Sequence, residues 1–284
     1  MPSIKMIRRR MNSVATTTKI MKAMNMVAAS KLQRDRERLE AARPFLRETQ
    51  SMITRTHGLP TGNKFFGQRP VKRSAYLVIT GDRGLCGGYN TNLAQAALAH
   101  MEEHGKNEGI VAVGLKGYDY CRQRGKNILR RFNDVLETAF FEDAERIAAS
   151  LAELYESGEA DEVYVAYTTY KSALVHEPQV ERLLPLGPPG GETAPGRTDD
   201  MRYDTGLSDF LNHAVPVYLS AFVYAALLES SACEQAARMV SMDTAVNNAG
   251  EITESLTRAY NRRRQTTITQ ELSELVASAN VMEE

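Results

Sequence analysis

The chain has 284 residues, with 35 basic (Lys and Arg) and 35 acidic (Asp and Glu) residues, so its formal net charge is zero. This balance excludes a uniformly basic nucleic-acid-binding protein and an acidic disordered chain. Hydrophobic residues make up 43% of the chain, which is enough for a buried core. No apolar run approaches the ~18 residues that a membrane span needs, so we expect no direct span. The chain has three cysteines that lie far apart, Cys86, Cys121 and Cys233. Because they form no CxxC pair, they suggest neither a disulfide framework nor a zinc ribbon.

The charge is distributed unevenly along the chain. Residues 1–34 contain eight basic and no acidic residues, whereas residues 207–284 contain five basic and ten acidic ones. The N-terminal segment therefore has a net charge of +8, the middle −3 and the C-terminal segment −5. A basic, acid-free start is also typical of a transit peptide. Its apolar pattern continues without a break past residue 34, however, which favours a permanent helix. We expect the two oppositely charged ends to neutralise each other along one coil.

The N-terminal segment has the pattern of a coiled-coil helix. A stripe that skips Asp35 recurs at alternating steps of three and four: Ile4, Ile7, Met11, Val14, Thr18, Met21, Asn25, Ala28, Leu32 and Leu39. Ser3 is placed to cap the helix, and Pro44 is expected to kink it. A helix from Ser3 to about Arg55 would extend ~80 Å and needs a partner helix to bury its stripe.

The middle of the chain has the sequence pattern of an α/β domain instead of one long helix. After a linker over residues 57–70, apolar runs alternate with helical segments. The predicted strands are residues 76–80, 110–114, 128–132 and 162–167, and the predicted helices are residues 91–104, 118–124 and 144–156. This alternation predicts a mainly parallel α/β sheet with right-handed crossovers. An edge strand is expected over residues 180–186 and a loop over residues 187–206.

The C-terminal segment is predicted to be the partner helix. Over residues 207–281, only Pro216 and Gly250 interrupt helical composition, and a stripe keeps helical spacing: Leu219, Phe222, Ala226, Cys233, Ala236, Val240, Ile252, Leu256, Ile268, Leu272, Leu275 and Ala279. The predicted fold is therefore α+β, a long antiparallel coiled coil of the terminal helices plus a Rossmann-like α/β domain. Its three parts are residues 1–57, 58–206 and 207–284. A compact bundle is the alternative, which the helix lengths disfavour.

A glycine-rich turn follows the first predicted strand, Gly81-Asp-Arg-Gly-Leu-Cys-Gly-Gly88. Dinucleotide-binding enzymes place a pyrophosphate at such a position. The spacing GxxGxxGG matches neither GxGxxG nor GxxxxGK[ST], which favours a tight turn with a fixed backbone over a nucleotide site. Cys86 in this turn is a weak candidate nucleophile because no His lies near it in the sequence.

The run His100-Met-Glu-Glu-His104 matches the HxxEH zinc pattern literally. No third ligand can be identified, and the run ends a predicted helix before Gly105. Polar residues on a solvated last turn are therefore the favoured interpretation. We expect no metal, no cofactor and no catalytic site of the chain's own.

Basic residues mark both terminal helices, at residues 1–34 and at Asn261-Arg-Arg-Arg-Gln265. Such residues can follow a nucleic-acid backbone or face acidic protein loops. The scarcity of aromatic residues in the N-terminal stretch disfavours stacking on single strands. A stand-alone coiled-coil protein that binds nucleic acid through residues 1–34 is the alternative function.

Four blocks of sequence carry a family pattern. They are Ile20-Met-Lys-Ala-Met-Asn-Met-Val-Ala-Ala-Ser-Lys31, the glycine-rich turn, Glu234-Gln-Ala-Ala-Arg-Met-Val-Ser-Met-Asp243 and Tyr260-Asn-Arg-Arg-Arg-Gln-Thr-Thr-Ile-Thr-Gln-Glu-Leu272. With these blocks in family order, the chain resembles the gamma subunit of F-type ATP synthases over essentially its whole length.

The resemblance implies a central rotor shaft. In that family the terminal helices form a coiled coil that enters the hexamer of alternating alpha and beta subunits. The α/β domain is the foot, beside the epsilon subunit and on the membrane c-ring. The resemblance further implies one copy per complex, peripheral on the cytoplasmic face of the bacterial inner membrane, with no nucleic-acid partner. Ion flow turns the ring and shaft, which couples it to ATP synthesis or hydrolysis at sites on other subunits.

The resemblance also assigns contact residues. The coupling and torque contacts are Met24, Arg238, Arg264, Gln265 and Thr269. A basic face expected to meet acidic beta-subunit loops comprises Arg8, Arg9, Arg10, Lys19 and Lys31. The foot loop comprises Gly81, Asp82, Arg83, Gly84, Gly87 and Gly88.

Overall fold

Two long helices enclose an α/β segment in the chain order. The computed structural model describes residues 3–56, 63–67, 69–187 and 206–282, without the side chains of residues 277–282. The elements are α1 (Ile4–Arg55), β1 (Ser74–Ile79), α2 (Tyr89–His104), β2 (Gly109–Val113), α3 (Leu115–Gln123), β3 (Ile128–Phe132), α4 (Phe141–Glu156), β4 (Glu162–Tyr170), β5 (His176–Leu184) and α5 (Leu207–Met282). The predicted fold class is confirmed. Half of the predicted linker and nearly all of the predicted loop lie outside the described residues.

The chain divides into two compact units. One, here called the helical unit, comprises Met1–Val27 and Met239–Glu284, and the other, the α/β unit, is Ala28–Arg238. Each long helix contributes to both units. The division into three domains at residues 57 and 206 follows element type rather than compactness, and it stays a prediction.

The sheet of the α/β unit has five strands in the order β3-β2-β1-β4-β5. The first four are parallel, and β5 pairs antiparallel with β4. All residues of β1 and β2 are buried, as expected for parallel strands covered on both faces. The mainly parallel sheet and the edge position of the last strand are confirmed. That strand begins four residues earlier than predicted, because polar residues and Pro178 pair with β4 there.

Alternate residues of the central strands pack into two hydrophobic layers. On one face, Leu77 and Val111 belong to a cluster with residues of α4 and α5, including Leu151 and Leu219. On the other face, neighbouring residues such as Val78 pack with the α2 residues Leu93, Ala97 and Met101 and the α3 residue Cys121. Because successive side chains of a strand point to opposite faces, both faces of the sheet are buried and polar groups lie at its edges.

The heptad stripe of α1 is buried or half-buried along the whole helix, as predicted. Ser3 caps it, because its Oγ accepts a hydrogen bond from the Met6 amide at 3.3 Å. Within the helical unit, the Asn25 side-chain amide donates to the Met239 carbonyl at 2.9 Å, which ties α1 to α5. The helix continues through Pro44 without a break in its assigned bounds.

Beyond Val240 the predicted stripe of α5 is wrong at four positions, whereas Leu256 is half-buried as predicted and the side chain of Ala279 lies outside the described residues. Ile252, Ile268, Leu272 and Leu275 are exposed, between 46% and 65%. The sheltered positions instead follow steps of three and four one register over: Met242, Val246, Ala249, Thr253, Leu256, Tyr260 and Arg263. Apolar residues on both sides of the helix therefore misled the sequence pattern, because the seam is set by the partner helix.

One described helix, α5, contains an 18-residue window that is apolar enough to cross a membrane by length and composition. No unbroken apolar run of that length marks it in the sequence. Of this window, 61% is buried inside the protein, so packing in the α/β unit accounts for its apolar composition.

Gly114 joins β2 to α3 and has no room for a side chain. Its φ is +83°, and a Cβ there would lie 2.0 Å from the Thr80 carbonyl oxygen. Gly125 has a similar φ of +69° but faces open space. The two glycines therefore separate the cost of the backbone conformation from the cost of a backbone clash.

Gly114→Ala is expected to lower the free energy of unfolding by more than ~3 kcal/mol, because the strand ends would have to move apart. Gly125→Ala places alanine in the left-handed conformation without a clash, so it should lower the free energy of unfolding by only about 1–2 kcal/mol. Urea denaturation of the full-length chain followed by circular dichroism measures both. Equal losses for the two variants would contradict this account of the packing at Gly114.

Candidate functional site

The order of the strands defines a crevice at the carboxyl ends of β1 and β4. From β1 the chain goes to β2 and β3 on one side, and then places β4 on the other side of β1. Open α/β sheets bind their ligands at such a topological switch point. The glycine-rich turn, residues 81–88 and here called the glycine loop, lies directly after β1 at this position.

A helix of the same chain occupies this crevice. The Tyr89 hydroxyl, at the start of α2, donates to the Ser230 carbonyl of α5 at 3.0 Å. The Thr168 amide of β4 lies 3.4 Å from Ser230 Oγ, and Cys233 Sγ lies 3.4 Å from the Thr168 carbonyl oxygen. Ser230 and Cys233 are fully buried. Main-chain groups near the carboxyl end of β4 and a side chain at the start of α2 thus hold α5.

Glu234 of α5 lies against the first residue of the glycine loop. A Cβ on Gly81 would approach the Glu234 carboxyl carbon and Oε1 to 2.7 Å. The carboxylate is 5% exposed and forms an ion pair with Arg238. Burial raises the pKa of Glu234, and the Arg238 guanidinium opposes that shift. The loop therefore faces a protein carboxylate where a dinucleotide-binding enzyme would hold phosphate.

Arg238 extends this contact to the rest of the loop. Its guanidinium donates to Gln235 Oε1 at 3.0 Å and to the Gly84 carbonyl at 3.4 Å. Its side chain is 11% exposed. Arg238, which the family resemblance assigns to a coupling contact, therefore has partners within its own chain.

The glycine loop is fixed from the opposite side as well. Asp82 accepts hydrogen bonds from the Leu115 amide at 3.0 Å and from the Asp134 amide at 3.1 Å. The Gly81 amide donates to Asn90 Oδ1 at 2.8 Å. These bonds tie the loop to the starts of α2 and α3 and to residues 133–140, so its backbone is held in one conformation.

Residues 133–140 hold α1 in the same way. Lys31 Nζ lies 2.6 Å from Glu137 Oε1, and Arg83 of the glycine loop lies 3.3 Å from Glu137 Oε2. The hydrogen bond from Lys31 lowers the pKa of Glu137. Arg38 donates to the Thr138 and Ala139 carbonyls at 2.7 and 2.5 Å. Loops at the carboxyl edge of the sheet thus fasten both long helices.

Asp35 occupies the stripe position that the sequence pattern skips, and it is buried. It is 2% exposed, and Ser231 Oγ of α5 donates to its Oδ2 at 2.7 Å. Burial raises its pKa, while the hydrogen bond from Ser231 lowers it. The omission of Asp35 from the buried stripe is therefore wrong: a serine on the facing helix provides the partner that a buried carboxylate requires.

The assigned contact residues separate into two groups. Lys31 and Arg238 have the partners described above within the α/β unit. In the helical unit, Met24 is half-buried, and the others are exposed, namely Arg8, Arg9, Arg10, Lys19, Arg264, Gln265 and Thr269. Among the described residues of this unit, no ion pair joins α1 to α5, so the expected neutralisation along the coil is not formed by direct pairs. The roles of all these residues stay predictions.

The other candidate sites have structural partners. The Tyr76 hydroxyl lies 3.0 Å from His100 Nδ1, and the His100 and His104 rings stack at 4.5 Å. Within the described ranges, no group of three or more His, Cys, Asp or Glu residues is arranged to hold a metal ion. Burial raises the pKa of the Cys86 thiol, which opposes formation of a nucleophilic thiolate.

Comparison with known proteins shows that the chain is similar to ATP synthase subunits. Residues 3–282 match the sequence model of a family described as ATP synthase. The chain is 38% identical to the ATP synthase gamma chain of Alkaliphilus metalliredigens (strain QYMF), with 97% of each chain covered. It is also 38% identical to the ATP synthase gamma chain of Brevibacillus brevis, with 98% of each covered.

A solved structure has the same fold. A chain in the cryo-EM structure of the Euglena gracilis mitochondrial ATP synthase, described as OSCP/F1/c-ring in rotational state 3, aligns with a TM-score of 0.73 and 20% identity. The alignment covers 98% of this chain and 94% of that one. On the full-length sequence matches, the chain belongs to the ATP synthase gamma chain family.

Asp35→Asn is expected to change stability in a pH-dependent way. Because the folded state raises the pKa of Asp35, it holds the carboxyl proton more tightly than the unfolded chain does. The stabilisation is present below the unfolded pKa and is lost as the pH rises through the folded one. From about pH 7 to about pH 4, wild type should therefore gain about 1 kcal/mol relative to Asp35→Asn.

Denaturation of the full-length chain at both pH values measures this gain. Asp243→Asn is a control, because it removes an exposed carboxylate from a long helix. A wild-type to Asp35→Asn difference that is the same at both pH values would contradict the role of the buried carboxylate.

Proposed function

We propose that this chain is the central stalk subunit of a rotary F-type ATP synthase, which transmits rotation of a membrane c-ring to a catalytic hexamer of alpha and beta subunits. The observation that carries the proposal is the match to ATP synthase gamma chains along the full length of the chain. In this role ion flow drives ATP synthesis, or ATP hydrolysis drives ion transport.

The architecture supports a mechanical role. The helices α1 and α5 have 52 and 76 residues, which correspond to about 78 and 114 Å at ~1.5 Å per residue. Paired helices of this length are stiff, and stiffness is what a torque-bearing element requires. The mechanism is conformational coupling: each orientation of the shaft stabilises a different state of each catalytic site.

The chemistry in this proposal belongs to the alpha and beta subunits. The switch-point crevice supports that assignment, because Ser230, Cys233 and Glu234 of α5 fill the position at which an α/β enzyme binds its ligand. The remaining partners are the epsilon subunit and the c-ring, with one copy of this chain per complex. The relatives compared are bacterial, so the proposed location is peripheral, on the cytoplasmic face of the inner membrane.

The exposed residues of the helical unit are the proposed contacts with the hexamer. Arg264, Gln265 and Thr269 lie on the exposed surface of α5, where they are free to meet loops of the beta subunits. Met24 and the exposed basic residues of α1 are the proposed contacts on the other helix. Distributed charges suit this role, because they can meet equivalent acidic loops in successive orientations.

The double variant Arg264→Ala plus Gln265→Ala is expected to lower coupled ATP synthesis by the reconstituted complex. If the two contacts contribute ~0.5 kcal/mol each, ~1 kcal/mol together, the rate should fall about fivefold. Arg258→Ala is a control that removes an exposed positive charge from the same helix. Unchanged synthesis and torque in the double variant would contradict the role of this pair.

Co-purification with alpha- and beta-type subunits is the result expected of a central stalk, and isothermal calorimetry of the purified chain should show no stoichiometric ATP binding. Binding at micromolar ATP would instead support a nucleotide enzyme. Strongly salt-dependent DNA or RNA binding, without co-purified subunits, would support the nucleic-acid alternative. No observation on the structure favours that alternative.

A further inference from the structure

Glu234 has an environment that stability alone does not explain. From Ser230 to Ala237 every residue of α5 is buried, and one of them is this carboxylate. Burying an ion pair costs desolvation energy that an apolar pair of the same shape would avoid. Buried polar pairs are best attested as devices that fix register between elements. Glu234 is therefore expected to fix the position of α5 against a neighbouring element.

The Glu234 carboxylate has contacts on two sides, one toward the sheet and one along its own helix. Toward the sheet, the Glu234 carboxyl carbon lies only 2.7 Å from the position that a Cβ on Gly81 would take. Along its own helix it pairs with Arg238, which reaches the Gly84 carbonyl at 3.4 Å. Two successive turns of α5 thus grip the glycine loop at two points three residues apart. A rotation or slide of α5 against the sheet would have to break both contacts.

The loop is itself fixed to the rest of the α/β unit. Asp82 holds the amides of Leu115 and Asp134, and Asn90 holds the amide of Gly81. Force applied to the sheet therefore reaches α5 through a short chain of directional bonds. Arg238 is the last residue of the α/β unit before the helical unit begins, so this grip lies at the point where α5 leaves the sheet.

We propose that Glu234 is a positioning residue: seated at Gly81 and paired with Arg238, it latches α5 to the glycine loop so that the α/β unit and the helix turn as one body. This inference rests on the proposed function, because only a rotating shaft needs torsional fixation. Glu234 touches no reacting atom, and it acts through the loop and through Arg238.

The test is Glu234→Gln in the complete complex reconstituted in vesicles. The substitution keeps the shape of the side chain and removes the charge that holds Arg238. Assembly and ATP hydrolysis by the complex without its membrane part should stay within about twofold of wild type, because hydrolysis without load needs little torque. In the intact complex, the number of ions pumped per ATP hydrolysed should fall by at least about twofold. Without the latch, α5 can turn against the glycine loop, so part of the coupling free energy between ATP hydrolysis and ion transport is lost.

A local readout accompanies the activity. In Glu234→Gln, amide hydrogen exchange in residues 81–88 of the assembled complex should be about tenfold faster, which corresponds to ~1.4 kcal/mol. Glu229→Gln is the matched control: it is a half-buried carboxylate on the same helix that pairs with Arg43 at 4.0 Å instead of the loop. It should leave both pumping and loop exchange unchanged.

Gly81→Ala and the double variant Gly81→Ala plus Glu234→Ala separate a latch from simple packing. The added methyl group of Gly81→Ala should expel the carboxylate, and the double variant restores the space. A latch predicts that the double variant regains thermal stability but not the pumping ratio. A packing role predicts that both return, which would overturn the proposal.

The outcomes also separate the latch from the proposed function. If wild type does not assemble with alpha and beta subunits, the proposed function fails. If wild type assembles and pumps, and Glu234→Gln pumps equally well with unchanged loop exchange, only the latch is overturned.

Discussion

The insertion of α5 into the carboxyl edge of the sheet is the constraint on which the rest of the structure depends. Ser230 and Cys233 use main-chain groups of β4 and the Tyr89 hydroxyl, and Glu234 uses the space that Gly81 leaves open. These contacts hold a helix of the same chain in the crevice where α/β enzymes bind their ligands. The fold therefore retains the topology of a nucleotide-binding domain while its switch point serves mechanical attachment.

The attachment also explains where polar groups are buried. Asp35 and Ser231 meet across the two long helices within the α/β unit, and Lys31 pairs with Glu137 at the loop that follows β3. Asp35 and Ser231 are buried and would be costly to bury unpaired, whereas Lys31 and Glu137 are partly exposed. Directional pairs of this kind fix one register between smooth apolar surfaces, whereas apolar packing alone tolerates sliding.

Periodicity predicted the helices, the strand alternation and the heptad stripe of α1, because each of these depends on local sequence. It could not predict the seam of α5, where Ile252 and Leu272 have the right spacing but face solvent, because the partner helix decides which side is covered. The glycine spacing predicts a turn with a fixed backbone, but it does not predict which side chain lies against that turn. Glu234 and Gly81 are more than 150 residues apart in the sequence, and local sequence cannot show that two such distant residues are in contact.

The most direct test of the account is a set of cryo-EM structures of the assembled complex at successive rotary positions under turnover. The account predicts that residues 230–238 of α5 and the glycine loop superpose as one rigid body in every position, with the Glu234 carboxylate seated at Gly81. A rotary position in which α5 has turned or slid relative to the loop, with this contact broken, would contradict it.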